Sequence, residues 1–149
     1  MKTMVLGLML AGLFGFSALA GEEWLTDINK AKKEAAEKNL PILADFSGSD
    51  WCGWCIKLDK EVFSQKEFKA FAKDHVVLFL ADFPRKKELS AEVKAQNEQL
   101  RQAYGVEGFP TVLLLGAGGK VIARTGYLQG GAVAYVDHLK DLLKQPGNK

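Results

Sequence analysis

Cys52 and Cys55 are the only two cysteines of this 149-residue chain, and their positions suit redox chemistry. A short apolar run and a polar loop precede them, and a helix is expected to begin there. A thiolate at a helix N-terminus is stabilised by the positive end of the helix dipole and by unpaired backbone N–H groups. Cys55 lies one helical turn later on the same face, so it can attack a mixed disulfide formed at Cys52. The spacing therefore indicates two-electron thiol–disulfide exchange with a client protein.

Three other uses of a cysteine pair compete with exchange chemistry. A permanent disulfide would close a four-residue ring and stabilise the fold very little. A zinc site needs about four ligands, and only the isolated His75 and His138 could add to the cysteines. Two thiolates can hold Cu(I), but no cluster of methionines or histidines supports them. Exchange is favoured, and these three alternatives stay open.

The first twenty residues resemble an export signal. Lys2 is followed by an apolar segment over residues 5–16, and Ala18-Leu19-Ala20 fits a small-x-small cleavage site. We therefore expect a signal peptide over residues 1–20 and one domain over residues 21–149. An uncleaved membrane anchor is the alternative, because the apolar stretch is only slightly too short to span a bilayer. Export would place the chain in the periplasm or another oxidising compartment, where disulfides persist.

Composition excludes several classes of protein. The chain is 26% charged and 48% hydrophobic, which argues against a disordered or collagen-like protein, and two cysteines are too few for a disulfide scaffold. Twenty Lys and Arg against 18 Asp and Glu give a net charge of +2, which provides no footprint for nucleic acid. The short basic run Arg85-Lys86-Lys87 indicates a solvated loop. We expect no nucleic-acid partner.

Hydrophobic periodicity predicts an α/β fold. Apolar runs of strand length alternate with segments of helical period, and the last two strands flank a glycine-rich turn at residues 116–119. The run over residues 76–81 is uniformly apolar and predicts a central strand, while Ser64-Gln65-Lys66-Glu67 has the pattern of a capping box. With the two helices that meet near Ser64 counted as one, the order is α, β, α, β, α, β, β, α, which predicts a central mixed β-sheet flanked by helices on both faces. The predicted elements are helices at 27–38, 55–63, 64–71, 90–104 and 133–143, and strands at 41–46, 76–81, 111–115 and 120–124. Thr26 or Asp27 is expected to cap the first helix, and Ser90 is expected to cap the helix at 90–104.

Three motifs in this order resemble those of the thioredoxin superfamily. They are Ala44-Asp45-Phe46, Trp51-Cys52-Gly53-Trp54-Cys55 and Val106-Glu107-Gly108-Phe109-Pro110-Thr111. The likeness extends over nearly all of residues 21–149, and it is to the exported members of the superfamily. It implies a thioredoxin fold, and it calls for no cofactor and no metal.

The resemblance also implies roles for individual residues. Cys52 is the attacking cysteine and Cys55 the resolving one, while Asp45 corresponds to the buried acid that accepts a proton from the resolving thiol. Termination of a strand is the alternative reading of Asp45. The sequence differs from the thioredoxin pattern in two ways that bear on the role of Asp45. The loop from Asp45 to Cys52 is one residue longer than usual, and Leu78 stands where thioredoxins place a lysine. Pro110 matches the family's cis-proline, whose loop faces the cysteines.

The resemblance further implies a client-binding surface around the cysteines. For Trp51, packing within the fold is the alternative to client binding. The Gly-Trp dipeptide between the cysteines is similar to that of exported proteins of the thiol–disulfide interchange type. The expected surface consists of Trp51, Gly53, Trp54, Phe109, Pro110 and Thr111.

We expect from these features an enzyme that reduces or isomerises disulfides in exported client proteins. A membrane thiol–disulfide protein would be its electron donor, and a monomer is the expected state. A disulfide-forming oxidase and a non-enzymatic client- or copper-binding module are the alternatives.

Overall fold

The computed structural model describes residues 24–145, so the predicted signal peptide lies outside the described residues. The described chain forms five α-helices and four β-strands in the predicted order, and a π-helical segment, Asp59–Phe63, follows the second helix directly. The helices are α1 (Ile28–Lys38), α2 (Gly53–Leu58), α3 (Lys66–His75), α4 (Ala91–Ala103) and α5 (Gly131–Leu143), and the strands are β1 (Ile42–Ser47), β2 (Val77–Asp82), β3 (Thr111–Leu115) and β4 (Val121–Thr125).

The four strands form one mixed sheet in the order β2-β1-β3-β4, in which β1 is parallel to β2 and antiparallel to β3. The prediction that β2 is central is wrong, because β2 lies at the edge of the sheet. Its outer side is nevertheless partly paired: Leu25 donates its N–H to the carbonyl of Leu78 at 2.9 Å and accepts from the N–H of Leu80 at 2.8 Å. A covered edge between two helical layers explains why β2 is as apolar as a central strand.

Helices cover both faces of the sheet, as predicted. One core contains Leu43, Leu78 and Leu114 of the sheet together with apolar residues of α2, α3, α5 and the π-helical segment. The opposite core joins Ala44 and Phe79 to α1, with side chains of α4 packed against it. Strand β1 is buried along its whole length because it lies between these two layers. The cysteine motif follows β1 and therefore starts from a strand that is buried along its whole length.

Helix starts agree with the predicted caps in two cases and differ in one. Asp27 caps α1, and the Ser90 side chain accepts a hydrogen bond from the Val93 N–H at the start of α4. The predicted capping box at Ser64 is wrong: α3 begins at Lys66 after Gln65, whose side chain makes no capping bond. Ser64 instead ends the π-helical turn, where its hydroxyl donates to Asp59. Within residues 24–145, no helix has both the length and the apolar character needed to cross a bilayer.

Candidate active site

Cys52 and Cys55 form a disulfide at the start of α2, with their Cα atoms 5.2 Å apart. Cys52 is the N-cap residue, held by a hydrogen bond from its N–H to the carbonyl of Gly48 at 2.8 Å. The backbone N–H of Cys55 donates to the Cys52 sulfur at 3.3 Å. This donor satisfies one of the unpaired N–H groups of the helix start and favours negative charge on Cys52. Both residues are mostly buried, with Cys52 7% and Cys55 4% exposed.

Asp45 lies in the core next to the cysteine pair. It shares with Cys55 the wall of a cavity of about 220 Å³, which Asp59 also borders. Its Oδ1 atom is buried without any hydrogen-bond partner in the described chain. The pKa of Asp45 is raised from 3.8 to about 8, mainly by burial and to a smaller extent by the negative charges of Asp59 and Asp82. The carboxyl group can therefore take up and release a proton near neutral pH.

The strand register decides which residues stand beside Asp45. Leu80 of β2 is its neighbour on one side and Val112 of β3 is its neighbour on the other, while Leu78 pairs with Leu43. Both immediate neighbours are aliphatic, and they offer no hydrogen bond or positive charge to the acid. Asp45 also lies within β1 and not at its end, which argues against the alternative that it merely terminates the strand.

The loop before β3 approaches the cysteine pair from the other side. The peptide bond between Phe109 and Pro110 is cis. The carbonyl oxygen of Phe109 lies 3.6 Å from the Cys52 sulfur, and the Thr111 hydroxyl donates to the carbonyl of Gly108 at 2.7 Å. The structure thus brings Phe109 to the reactive sulfur, while the Thr111 side chain closes its own loop.

Trp51 is held in place by contacts on several sides. Its indole N–H donates to the carbonyl of Phe83 at 2.7 Å, and its ring meets the ring of Phe109 edge-on at 6.1 Å between centroids. The guanidinium carbon of Arg85 lies 3.7 Å from the centroid of the indole ring. Trp51 also packs closely over Gly48, where an added Cβ would come within 2.5 Å of the ring. Packing is therefore one real function of Trp51, which is still partly exposed.

Trp54 and Gly53 face solvent beside the disulfide. The Trp54 side chain is 58% exposed, although its ring lies 5.0 Å from that of Tyr127 and the Lys57 ammonium lies 5.4 Å from its centroid. The Tyr127 hydroxyl donates to Glu61 at 2.7 Å, which fixes the platform on which Trp54 rests. A large aromatic group held at such exposure is suited to contact another protein.

Three residues near the site were missed from the sequence. Asp59 follows Cys55 by four positions, so helical spacing was a usable signal for it. Arg85 and Tyr127 reach the cysteine motif from loops 30 or more positions away, and no local pattern marks them. Within the described part of the chain, no group of three or more His, Cys, Asp or Glu residues is arranged to hold a metal ion.

Comparisons with known proteins agree with this geometry. A family model for the thioredoxin-like domain matches residues 28–140. The Chlamydia pneumoniae protein "Disulfide bond reductase DsbH" is 38% identical over 127 residues, which cover 85% of this chain and 76% of that protein. A second protein of that organism, "Thioredoxin-related protein DsbJ", is 30% identical over 103 residues, and these cover 69% of this chain but only 30% of DsbJ.

A solved structure described as "DsbH Oxidoreductase" superposes with a TM-score of 0.79 at 36% sequence identity. The alignment covers 93% of this chain and 94% of that one. The mixed sheet and the disulfide at the start of α2 are the features that the motifs led us to expect. The chain therefore belongs to the thioredoxin-like family.

Proposed function

We propose that this chain, a protein-disulfide oxidoreductase, acts mainly to reduce or isomerise disulfides in exported client proteins. The observation that carries the proposal is the Cys52–Cys55 disulfide beside a buried, unpartnered carboxyl group at Asp45. A disulfide scaffold or a passive binding module has no need of such an acid, because burying it costs stability. The name of the DsbH relative, a disulfide bond reductase, supports the reducing direction.

The first step of the proposed reaction is attack by Cys52. In the reduced protein the Cys52 thiolate accepts the hydrogen bond from the Cys55 N–H, which stabilises its charge. It attacks one sulfur of the client disulfide, so that a Cys52–client bond forms and one client thiolate leaves. The carbonyl of Phe109, 3.6 Å from the Cys52 sulfur, lies where an extended client backbone would pass.

The second step is resolution by Cys55. Asp45 first releases its own proton, which a pKa of about 8 permits near neutral pH, and its carboxylate then takes the proton of the Cys55 thiol across the cavity that both residues border. Its sulfur then attacks Cys52, the second client thiolate leaves, and the chain holds the Cys52–Cys55 disulfide. Two electrons have passed to the client, and a dithiol donor must return them before the next cycle.

The client-binding surface comprises both sides of the disulfide. Trp54 and Gly53 form its solvent-facing side, and Phe109, Pro110 and Thr111 form the opposite side; Trp51 supports the surface from beneath its edge. Aromatic side chains provide contact area at small entropic cost, which suits an enzyme with many clients.

Export and the electron donor complete the proposal. Residues 1–20 act as the signal, residues 21–149 function as a monomeric domain in the periplasm, and a membrane thiol–disulfide protein supplies the electrons. The support for this part is the signal-like sequence at the N-terminus and the need for a reductant in an oxidising compartment.

Insulin reduction in the presence of dithiothreitol tests the activity, and trapping tests the residue roles. Cys55→Ser should accumulate mixed disulfides with client proteins, because the attacking thiol is kept and the resolving thiol is lost. Cys52→Ser, the matched control, should trap none. Absence of insulin reduction together with equal trapping by both variants would contradict the proposal, and stoichiometric Cu(I) uptake would then favour a copper-binding module.

The direction of electron flow between the chain and its clients is tested by redox titration against glutathione. We expect a potential between that of thioredoxin, about −270 mV, and that of disulfide isomerases, about −180 mV. A value near −120 mV, typical of a dedicated oxidase, would show instead that the chain forms disulfides.

A further inference from the structure

Arg85 is an exposed cation held on the face of the indole ring that precedes Cys52. Its guanidinium carbon lies 3.7 Å from the centroid of the Trp51 ring, which is the geometry of a cation–π stack. Among residues 24–145, no carboxylate or carbonyl accepts a hydrogen bond from this guanidinium. Stacking uses the face of the group and leaves its N–H donors in the plane available.

The loop that carries Arg85 is fixed to the active-site loop by Asp50. One Asp50 oxygen accepts from the N–H of Arg85 at 2.9 Å, and the other accepts from the N–H groups of Lys86 and Lys87 at 2.8 and 3.2 Å. These bonds hold the pKa of Asp50 below its ordinary value. The bond from the Trp51 indole to the Phe83 carbonyl ties the same two loops together. Arg85 therefore keeps a set position relative to Cys52.

The neighbouring cations are differently placed. Lys87 forms an ion pair with Asp82, with 2.9 Å between Nζ and Oδ2. The charge of Lys86 acts on Asp50, whose pKa it helps to lower. The Asp50 carboxylate is already engaged by three backbone N–H groups. Of these three cations, Arg85 is thus the one whose side chain is both fixed beside the cysteine pair and open to a new acceptor.

We propose that Arg85, stacked on Trp51, is a docking subsite for an acidic side chain that lies near the target cysteine of a client. A carboxylate fits because a guanidinium binds it with two parallel hydrogen bonds, and a prepositioned guanidinium loses little freedom on binding. The site adjoins the disulfide through Trp51 and Phe109, so the acidic residue would lie a few positions from the reacting cysteine. The inference rests on the proposed function, because it names a preferred class of client.

Disulfide-bonded peptides that differ at one position test the subsite. Three peptides carry Glu, Gln or Lys two residues from the cysteine, and kcat/KM for their reduction is measured with dithiothreitol as the electron source. Because neighbouring charge changes the reactivity of a disulfide itself, each rate is divided by the uncatalysed rate of the same peptide. We expect kcat/KM for the Glu peptide to exceed that for the Gln peptide by about 1.4- to fivefold, the range for an exposed ion pair, and the value for the Lys peptide to fall below both.

Variants of the basic loop separate a specific site from general attraction. In Arg85→Gln the ratio of the Glu to the Gln peptide should fall to about one, and Arg85→Lys should restore part of it. Lys86→Gln, a neighbouring change of the same charge, should keep most of the ratio. Equal reduction of the Glu and Gln peptides by the unmodified protein, or an equal loss in Lys86→Gln and Arg85→Gln, would overturn the inference. Failure to reduce even the Gln peptide would instead contradict the proposed function, so the two failures are distinguishable.

Discussion

Replacing Asp45 by Asn should stabilise the oxidised protein at neutral pH, by an amount that depends on pH. The substitution keeps the size of the side chain and removes its ionisation. Asp45 has a pKa of 3.8 in its ordinary surroundings and about 8 in the fold, where burial is the main cause of the shift. Between these two values the folded protein holds a proton that the unfolded chain has released. The part of the unfolding free energy that depends on Asp45 being neutral is therefore fully present below pH 3.8, and it is lost progressively as the pH rises to about 8.

The size of the effect follows from the width of this window. Each pH unit inside it costs the unmodified protein about 1.4 kcal/mol relative to a variant that does not titrate. From pH 5 to pH 7 the stability advantage of Asp45→Asn should thus grow by about 3 kcal/mol, and above about pH 8 it should become constant.

Urea unfolding of both oxidised proteins at a series of pH values measures the advantage directly. The matched control is Asp50→Asn, because three backbone N–H groups lower the pKa of Asp50 instead of raising it. This control should be less stable than the unmodified protein at neutral pH, and the difference should shrink as the pH falls. An advantage of Asp45→Asn that stays the same from pH 5 to pH 9 would refute the reasoning.

Two further substitutions test the packing and the client-docking surface around the cysteine motif. Gly48→Ala should destabilise the fold by about 1–3 kcal/mol and alter the fluorescence of Trp51, because the new Cβ would lie 2.5 Å from that ring. The control in urea unfolding is Gly53→Ala, because nothing lies within 4 Å of a Cβ added there. Equal losses of stability in the two variants would contradict the argument. Trp54→Ala should raise KM for insulin about three- to tenfold with little change in stability, because its ring is exposed beside the disulfide. Val133→Ala, an equally exposed apolar residue on α5, should leave KM unchanged, and a matching rise in that variant would refute a specific docking role.

The features that the sequence predicts well are those that depend on nearby residues. The cap at Asp27, the buried run of β1 and the helix that begins beside Cys52 each follow from a few consecutive positions. The cysteine spacing predicts its chemistry because one helical turn separates attacker and resolver. The family motifs add the loop at Phe109, whose place beside Cys52 depends on a long-range contact.

Local sequence patterns do not predict the register of the strands or the contacts between loops. An apolar strand has the same sequence pattern at the centre of a sheet and at an edge that another segment covers. The pattern of β2 therefore predicts a central strand, although β2 is an edge strand that Leu25 covers. The stack of Arg85 on Trp51 depends on how two loops from neighbouring strands meet, and sequence distance hides it. The neighbour of Asp45 likewise depends on the register of β1 with β2, which places Leu80 there.

Asp45 is the residue at which stability and chemistry make opposite demands. A basic or hydrogen-bonding neighbour would stabilise its carboxylate, but would also lower its pKa and weaken it as a proton acceptor for Cys55. An apolar residue in its place would favour the fold and leave the resolving thiol with no acceptor. The observed arrangement avoids both: Leu80 and Val112 offer no partner, Oδ1 is unbonded, and Asp59 adds negative charge at the same cavity. A buried acid kept at a cost to the fold is explained by a proton that must move when Cys55 attacks.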